Sequence, residues 1–218
     1  MIRRLVLPIL FGLIISACGT MEPSPAPETI EASPTPELEE IAFPSGTTMH
    51  LDAHIQESTQ QQLRKERGGY FLLQFSAPLD QDTRATLEAA DVIFYDYIPN
   101  YAYYVYLPAE SLAILERLIE AGTLGYVGPI PIEAKLEAGL REKILANADQ
   151  RFDVVVQFFE APSPAAKTEL EALMEVREYA FGAVNLAEGT VAASDVETIL
   201  ALPFVKWMEE QVMMELGD

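Results

Sequence analysis

The sequence predicts an α+β protein built from two tandem β-α-β-β-α-β units, and three features carry that prediction. The first is Asp91 to Pro108, DVIFYDYIPNYAYYVYLP. It reads as two strands joined at Pro99-Asn100, because proline presets φ and asparagine tolerates the dihedrals of a tight turn. The second is that a strand-like and a helix-like run lie on either side, which places this hairpin at the centre of a β-α-β-β-α-β unit. The third is a repeat 83 residues on: Leu72-Leu-Gln-Phe75 matches Val155-Val-Gln-Phe158, Leu87-Glu-Ala matches Leu170-Glu-Ala, and Tyr126 falls near Trp207. Self-similarity at a fixed period marks internal duplication, so each unit supports the reading of the other.

In the first unit, Tyr70 to Phe75 is an apolar strand interrupted only by Gln74. Asp80 or Asp82 can cap a short helix reaching about Ala90. After the hairpin, Ala109 to Ala121 is a stronger helix with Leu112, Leu115 and Ile119 along one side and Gly122 as its stop. Leu124 to Ile132 closes the unit as a strand, and Gly128-Pro129 suits it to a sheet edge. Glu133 to Gln150 is charged and alanine-rich, a connecting helix. In the second unit, Phe152 to Phe159 is a strand, and Ser163 caps a helix with Pro164 in its first turn. That helix carries Ala166, Leu170, Leu173 and Met174 on one face. Val176 to Val184 and Thr190 to Ala193 are strands joined by a loop holding Asn185 and Gly189. Ser194-Asp-Val-Glu197 reads as a capping box for a helix through Leu202, and Val205 to Met213 is the last strand.

The segments ahead of these units read differently. Arg3 and Arg4 precede an apolar run, Leu5 to Ile15, too short to span a bilayer but within the range of a signal peptide. It ends in Ile15-Ser16-Ala17-Cys18, which resembles the lipobox of bacterial lipoproteins. That resemblance implies cleavage after residue 17 and diacylglyceryl modification of Cys18, the only cysteine in the chain. Two or more acyl chains, at about 0.8 kcal/mol per buried methylene, hold stably to a membrane. Residues 18–45, rich in Pro, Ser, Thr and Glu, read as a disordered tether, with a reach of roughly 70 Å in polyproline II form. Residues 46–69 follow as a leader. The folded part then divides into 70–136, a connecting helix over 137–150, and 151–218.

Composition narrows the function. A formal charge of −20, from 34 acidic and 14 basic residues, repels phosphate backbones and argues against nucleic acid as a partner. His50 and His54 are the only histidines and flank Asp52, but two ligands are fewer than a metal site needs, and they read as solvent-facing. Gly46-Thr47-Thr48-Met49 has a coincidental likeness to a serine-protease nucleophile segment, with threonine at the nucleophile position. No phosphate loop, Cys/His ligand set or nucleophile elbow occurs, so no catalytic residue, metal or cofactor is assigned. Tyr95, Tyr97, Tyr101, Tyr103, Tyr104 and Tyr106 crowd the central hairpin. Strand alternation divides them between two faces. One reading is β-propensity with cross-strand packing. The other is an aromatic partner-binding patch that includes Tyr95, Tyr97, Tyr104 and Tyr106. Both stay open on the sequence alone.

The strand around Gln74-Phe75, the hairpin Tyr97-Ile-Pro-Asn100 with Ala102-Tyr103, and Val127-Gly-Pro129 with Lys135-Leu136 resemble the propeptide-like domain that precedes bacterial subtilisin-family serine proteases. Ala134 stands where an aromatic is often seen. The likeness covers Tyr70 to Leu136 and extends to the second unit by pattern only. It implies a ferredoxin-like fold, an antiparallel sheet with two helices on one face, in each unit. Propeptides of this kind inhibit their protease and assist its folding, the sheet docking on the enzyme and the tail entering the cleft. These 218 residues are expected to hold no protease domain, so inhibition in cis is not expected. The expectation is therefore a non-enzymatic, lipid-anchored, extracytoplasmic protein-binding module of the bacterial cell envelope. The alternative is an inhibitor or folding chaperone acting in trans on a subtilisin-like protease, with Met214 and Leu216 as apolar anchors of the tail.

Overall fold

A computed structural model describes residues 38–51, 55, 57–66 and 68–211. The elements in chain order are β1 (Ile41–Ala42), β2 (Thr48–Met49), α1 (Glu57–Glu66), β3 (Gly68–Phe75), α2 (Gln81–Glu88), β4 (Ile93–Ile98), β5 (Ala102–Pro108), α3 (Leu112–Glu120) and β6 (Leu124–Gly128). They continue with α4 (Ala138–Ala146), β7 (Arg151–Phe158), α5 (Pro164–Glu171), β8 (Met174–Ala180), β9 (Asn185–Ala192), α6 (Val196–Ala201) and β10 (Val205–Glu210). The class is α+β, with two four-stranded antiparallel sheets ordered β4-β5-β3-β6 and β10-β7-β9-β8. Each half runs β-α-β-β-α-β. Numbered within its own half, each sheet has the strand order 4-1-3-2.

Local chemistry accounts for most of the boundaries. The hairpin turns where expected: Asn100 and Tyr101 both take positive φ, at 66° and 62°, the left-handed conformation that asparagine tolerates best among ordinary residues. Asp80 caps α2, its Oδ1 accepting from the backbone N–H groups of Asp82 and Thr83. Ser163 caps α5 by accepting from Ala166 N–H, with Pro164 at the first helical position. Gly122, at φ +69°, ends the third helix.

One face of each sheet carries the helices. In the first half, Phe71, Leu73, Phe75, Val105 and Val127 pack against Leu87 of α2, Ile114 and Leu115 of α3 and Leu63 of α1. In the second, Val154, Val156 and Phe158 pack against Leu170 of α5 and Ile199 and Leu200 of α6. Two sheet edges are covered by the chain itself. Ile55 bridges in parallel to Val127 on β6, and Leu136 to Met208 on β10. Covering an edge blocks strand-to-strand aggregation.

Five expectations are corrected. The tether does not extend to residue 45: Leu38, Ile41 and Phe43 are buried against Leu72, Tyr104 and Tyr126 on the helix-free face of the first sheet. Buried Ile41, Phe43 and Ser45 alternate with exposed Ala42 and Pro44, a strand pattern that the proline-rich surroundings obscured. Met174 belongs to β8, not to the helix before it, and Asn185 and Gly189 belong to β9, not to a loop. Gly189 is required there because a Cβ would lie 2.3 Å from the Glu175 carbonyl oxygen of the neighbouring strand. The connecting helix is shorter than expected, a 3-10 turn (Ile132–Lys135) followed by α4. The capping box does not form: a 3-10 turn, Ala193–Asp195, leads into α6, and neither carries a side-chain cap.

Candidate functional site

The tyrosine hairpin is built around a bulge. Phe94 pairs with Val105 and Tyr97 with Tyr103, so Tyr95 and Asp96 together oppose Tyr104. The extra residue puts Tyr95, Asp96 and Tyr104 on the helix-free side. It returns Phe94 and Tyr97 to the other side, where each ring meets Tyr103 edge-on.

The helix-free side is filled from within the molecule. Phe159, the residue after β7, stacks on Tyr70 with ring centroids 4.4 Å apart and an interplanar angle of 10°. It also meets Tyr95 at 5.2 Å and Tyr104 at 6.0 Å, while Tyr106 packs edge-on against Tyr70. Polar contacts surround this wedge: the Tyr95 hydroxyl donates to Glu160 at 2.7 Å, and Lys206 pairs with Asp96 at 3.1 Å. Burial and the Glu160 carboxylate push the Tyr70 phenol up to about 12, and burial first, then the hydrogen bond to Glu160, raises Tyr95 further. Burial likewise raises Tyr104. All three phenols stay neutral at physiological pH and act as packing and hydrogen-bonding groups.

The proposed aromatic patch therefore resolves differently for each member. Tyr104 is 5% exposed and packs in the core between the halves, with an edge on a cleft beside Gln157 and Trp207. Tyr95 and Tyr106 are half-buried beside Phe159 and Tyr70. Tyr97, at 54%, is the most open of the four; its ring packs on Tyr103, and it borders the same cleft as Tyr104. His50 is exposed, while Cys18, His54, Met214 and Leu216 lie outside the described residues. Among the described residues no cluster of three or more His, Cys, Asp or Glu side chains could hold a metal.

The sequence reading missed Phe159. Its signal was present: Val154, Val156 and Phe158 already supply the buried face of β7, so an apolar residue directly after Phe158 breaks the alternation and needs a second site. Lys135 was noted only as part of a motif. The residue is 5% exposed and its ammonium donates to the Leu200 carbonyl at 3.0 Å, joining the inter-half linker to the end of α6. Desolvation lowers its pKa from 10.5 to about 8.

The helix-free face of the second sheet is different. Asp153, Val155 and Gln157 of β7 share it with Leu186, Glu188 and Thr190 of β9 and with Trp207 and Glu209 of β10, as the strand register requires. Val155, Leu186 and Trp207 are only half-buried here, with no helix packed over them among the described residues. Arg177 crosses one end, donating to Asp153 at 2.5 Å and to Thr190 at 2.9 Å. That contact holds the Asp153 carboxyl below the usual range. Gln211 donates to Glu188 at 2.5 Å and the Trp207 indole N–H to Glu209 at 2.9 Å. At the other end the face runs into a cleft of about 420 Å³ between the halves, bounded by Gln157, Lys206 and Trp207 on one side and by Asp96, Ile98 and Pro44 on the other.

No helix among the described residues is long and apolar enough to cross a membrane. No curated protein and no solved structure matches the chain. A family profile described as a domain of unknown function (DUF8729) matches residues 43–131, which takes in the end of the N-terminal segment and the whole first sheet, less than half of the chain.

Proposed function

We propose that the protein is a non-enzymatic, lipid-anchored, extracytoplasmic binding module made of two propeptide-like, ferredoxin-like units, and that its second sheet receives a protein partner. The 4-1-3-2 strand order, with both helices of each half on one face, supports the ferredoxin-like assignment. The address rests on the Arg3-Arg4 start, the apolar run and Cys18.

One observation carries the binding reading: the two halves treat equivalent sheet faces in opposite ways. The first sheet's helix-free face is covered by residues 38–51 and by Phe159. The second sheet's equivalent face is left half-exposed, with Val155, Leu186 and Trp207 between acidic neighbours. Apolar and aromatic residues framed by polar ones are the usual make-up of a protein-binding surface. The acidic rim, within a chain of net charge −20, selects a neutral or basic partner.

Affinity capture from detergent-solubilised envelope membranes tests this, with the full-length chain as bait. A partner retained by wild type and by Glu169→Arg on the exposed side of α5, but lost with Val155→Arg, is the expected result. Equal capture by all three, or by none, refutes it. The second reading, inhibition of a subtilisin-like protease in trans, is favoured by the same open face, since propeptides dock by their sheets. A partner that is such a protease, with its activity suppressed in the complex, would select it.

A further inference from the structure

The duplication places a glutamine opposite an aromatic residue on both helix-free faces. Gln74 pairs across the sheet with Tyr126 in the first half, and Gln157, 83 residues later, pairs with Trp207 in the second. In the first half this pair has an occupant. Gln74 is fully buried, and its Nε2 donates to the backbone carbonyls of Glu39 at 2.6 Å and of Asn100 at 3.2 Å. Asn100 Nδ2 donates to the next carbonyl, that of Glu40. An extended segment, residues 38–43, thus lies over the sheet with its backbone held by side-chain amides and with Leu38, Ile41 and Phe43 inserted. In the second half no segment among the described residues lies over the pair, and Gln157 and Trp207 border the cleft instead.

We propose that the Gln157–Trp207 end of the second sheet binds an extended peptide of a partner protein, with Gln157 donating to its backbone as Gln74 does to residues 38–43. This rests on the protein-binding reading above and specifies its mode. The differences between the halves define the peptide. Gly125 gives Leu38 its space, since a Cβ there would lie 2.2 Å from Leu38 Cδ2, and the equivalent residue is Lys206. Ala102, opposite Gln74, is replaced by Leu186 opposite Gln157. The second site is therefore shallower and takes small side chains on the sheet-facing side of the strand. Lys206 is already neutralised by Asp96 and Asp153 by Arg177, whereas Glu188 and Glu209, which meet only the neutral donors Gln211 and Trp207, leave the face acidic, so basic residues fit the opposite side. Alternating small and basic residues is the sequence that an extended strand needs to do both.

Trp207 is the only tryptophan in the chain, so its fluorescence reports on this site alone. The probe is an end-capped hexapeptide of alternating alanine and lysine, titrated into the full-length chain, with an alanine–glutamate hexapeptide as control. A saturable change with the lysine peptide is expected, weakened about three- to tenfold in Gln157→Ala, as the loss of one hydrogen bond would do. Gln74→Ala serves as a comparison that leaves the second face intact. No saturable change at millimolar peptide overturns the proposal. Equal binding by Gln157→Ala also overturns it, because that result reports general attraction to an acidic surface. Either failure leaves the capture experiment with Val155→Arg unaffected, so the mode and the underlying reading are tested separately.

Discussion

Replacing Lys135 by methionine should stabilise the protein at neutral pH and remove a pH dependence from its stability. The ammonium is buried at the junction of the halves, with the Leu200 carbonyl as its hydrogen-bond partner. Desolvation lowers its pKa in the folded state from 10.5 to about 8. A lowered base is a destabilising term that acts in full below the folded value, since both states are protonated there and only the folded one holds a buried charge. Between pH 8 and 10.5 the unfolded chain binds the extra proton, so stability rises with pH and the term vanishes above that window. At about 1.4 kcal/mol per pH unit separating the two values, its size is about 3 kcal/mol. Methionine keeps the length and apolar stem but abandons the hydrogen bond to Leu200, a loss of about 1 kcal/mol. The net gain at pH 7 is then about 2 kcal/mol. Urea denaturation of wild type and Lys135→Met from pH 7 to 10.5 measures it, and the difference between the curves cancels the tyrosines and other groups common to both. The gap should close, then reverse slightly, as pH rises. A constant gap across that range, or a variant less stable than wild type at pH 7, would refute the reasoning.

Other perturbations follow from the packing. Ile41→Ala should cost about 2–5 kcal/mol in thermal or chemical denaturation, as for any large-to-small core change, and unchanged stability would return residues 38–43 to the tether. Gly189→Val places a side chain against the Glu175 carbonyl and should lose about 3 kcal/mol or fail to fold, which soluble expression and melting would show. Phe159→Ala empties the space between Tyr70, Tyr95 and Tyr104. It should lower stability by about 3–5 kcal/mol and speed amide exchange in the β4–β5 hairpin. Cys18→Ser should move the protein out of the membrane fraction or leave its signal segment uncleaved, and a membrane-bound variant of mature size would remove the anchor from the account.

The sequence made the repeating elements legible because they rest on local chemistry. Asp80, Ser163 and the Pro99-Asn100 turn act on their own neighbours and behave in the structure as their positions require. The 83-residue repeat was equally legible, because Gln74 and Gln157 occupy the same ladder position against Tyr126 and Trp207. What could not be read was which surface covers which. Leu38, Ile41 and Phe43 are three apolar residues in a proline- and glutamate-rich stretch, and only the tertiary structure shows the face that takes them. The tyrosines illustrate the same limit: alternation predicts two faces, but the bulge at Tyr95-Asp96 shifts the register and sends Tyr97 to the opposite side from Tyr95. Gly189 read as a loop residue because its use, the close approach of a neighbouring strand, is set by a partner strand that local sequence does not identify.

The central claim, that the helix-free face of the second sheet is the binding surface, is tested most directly by photo-crosslinking in intact cells. A photoreactive phenylalanine analogue is placed at Leu186 on that face, at exposed Glu169 on the helix side of the same half, and at Ile93 on the hairpin of the first half. The account predicts a discrete protein adduct from Leu186 and none from Glu169 or Ile93. An adduct from Ile93 or Glu169 with none from Leu186 would contradict it and move the binding surface elsewhere on the molecule.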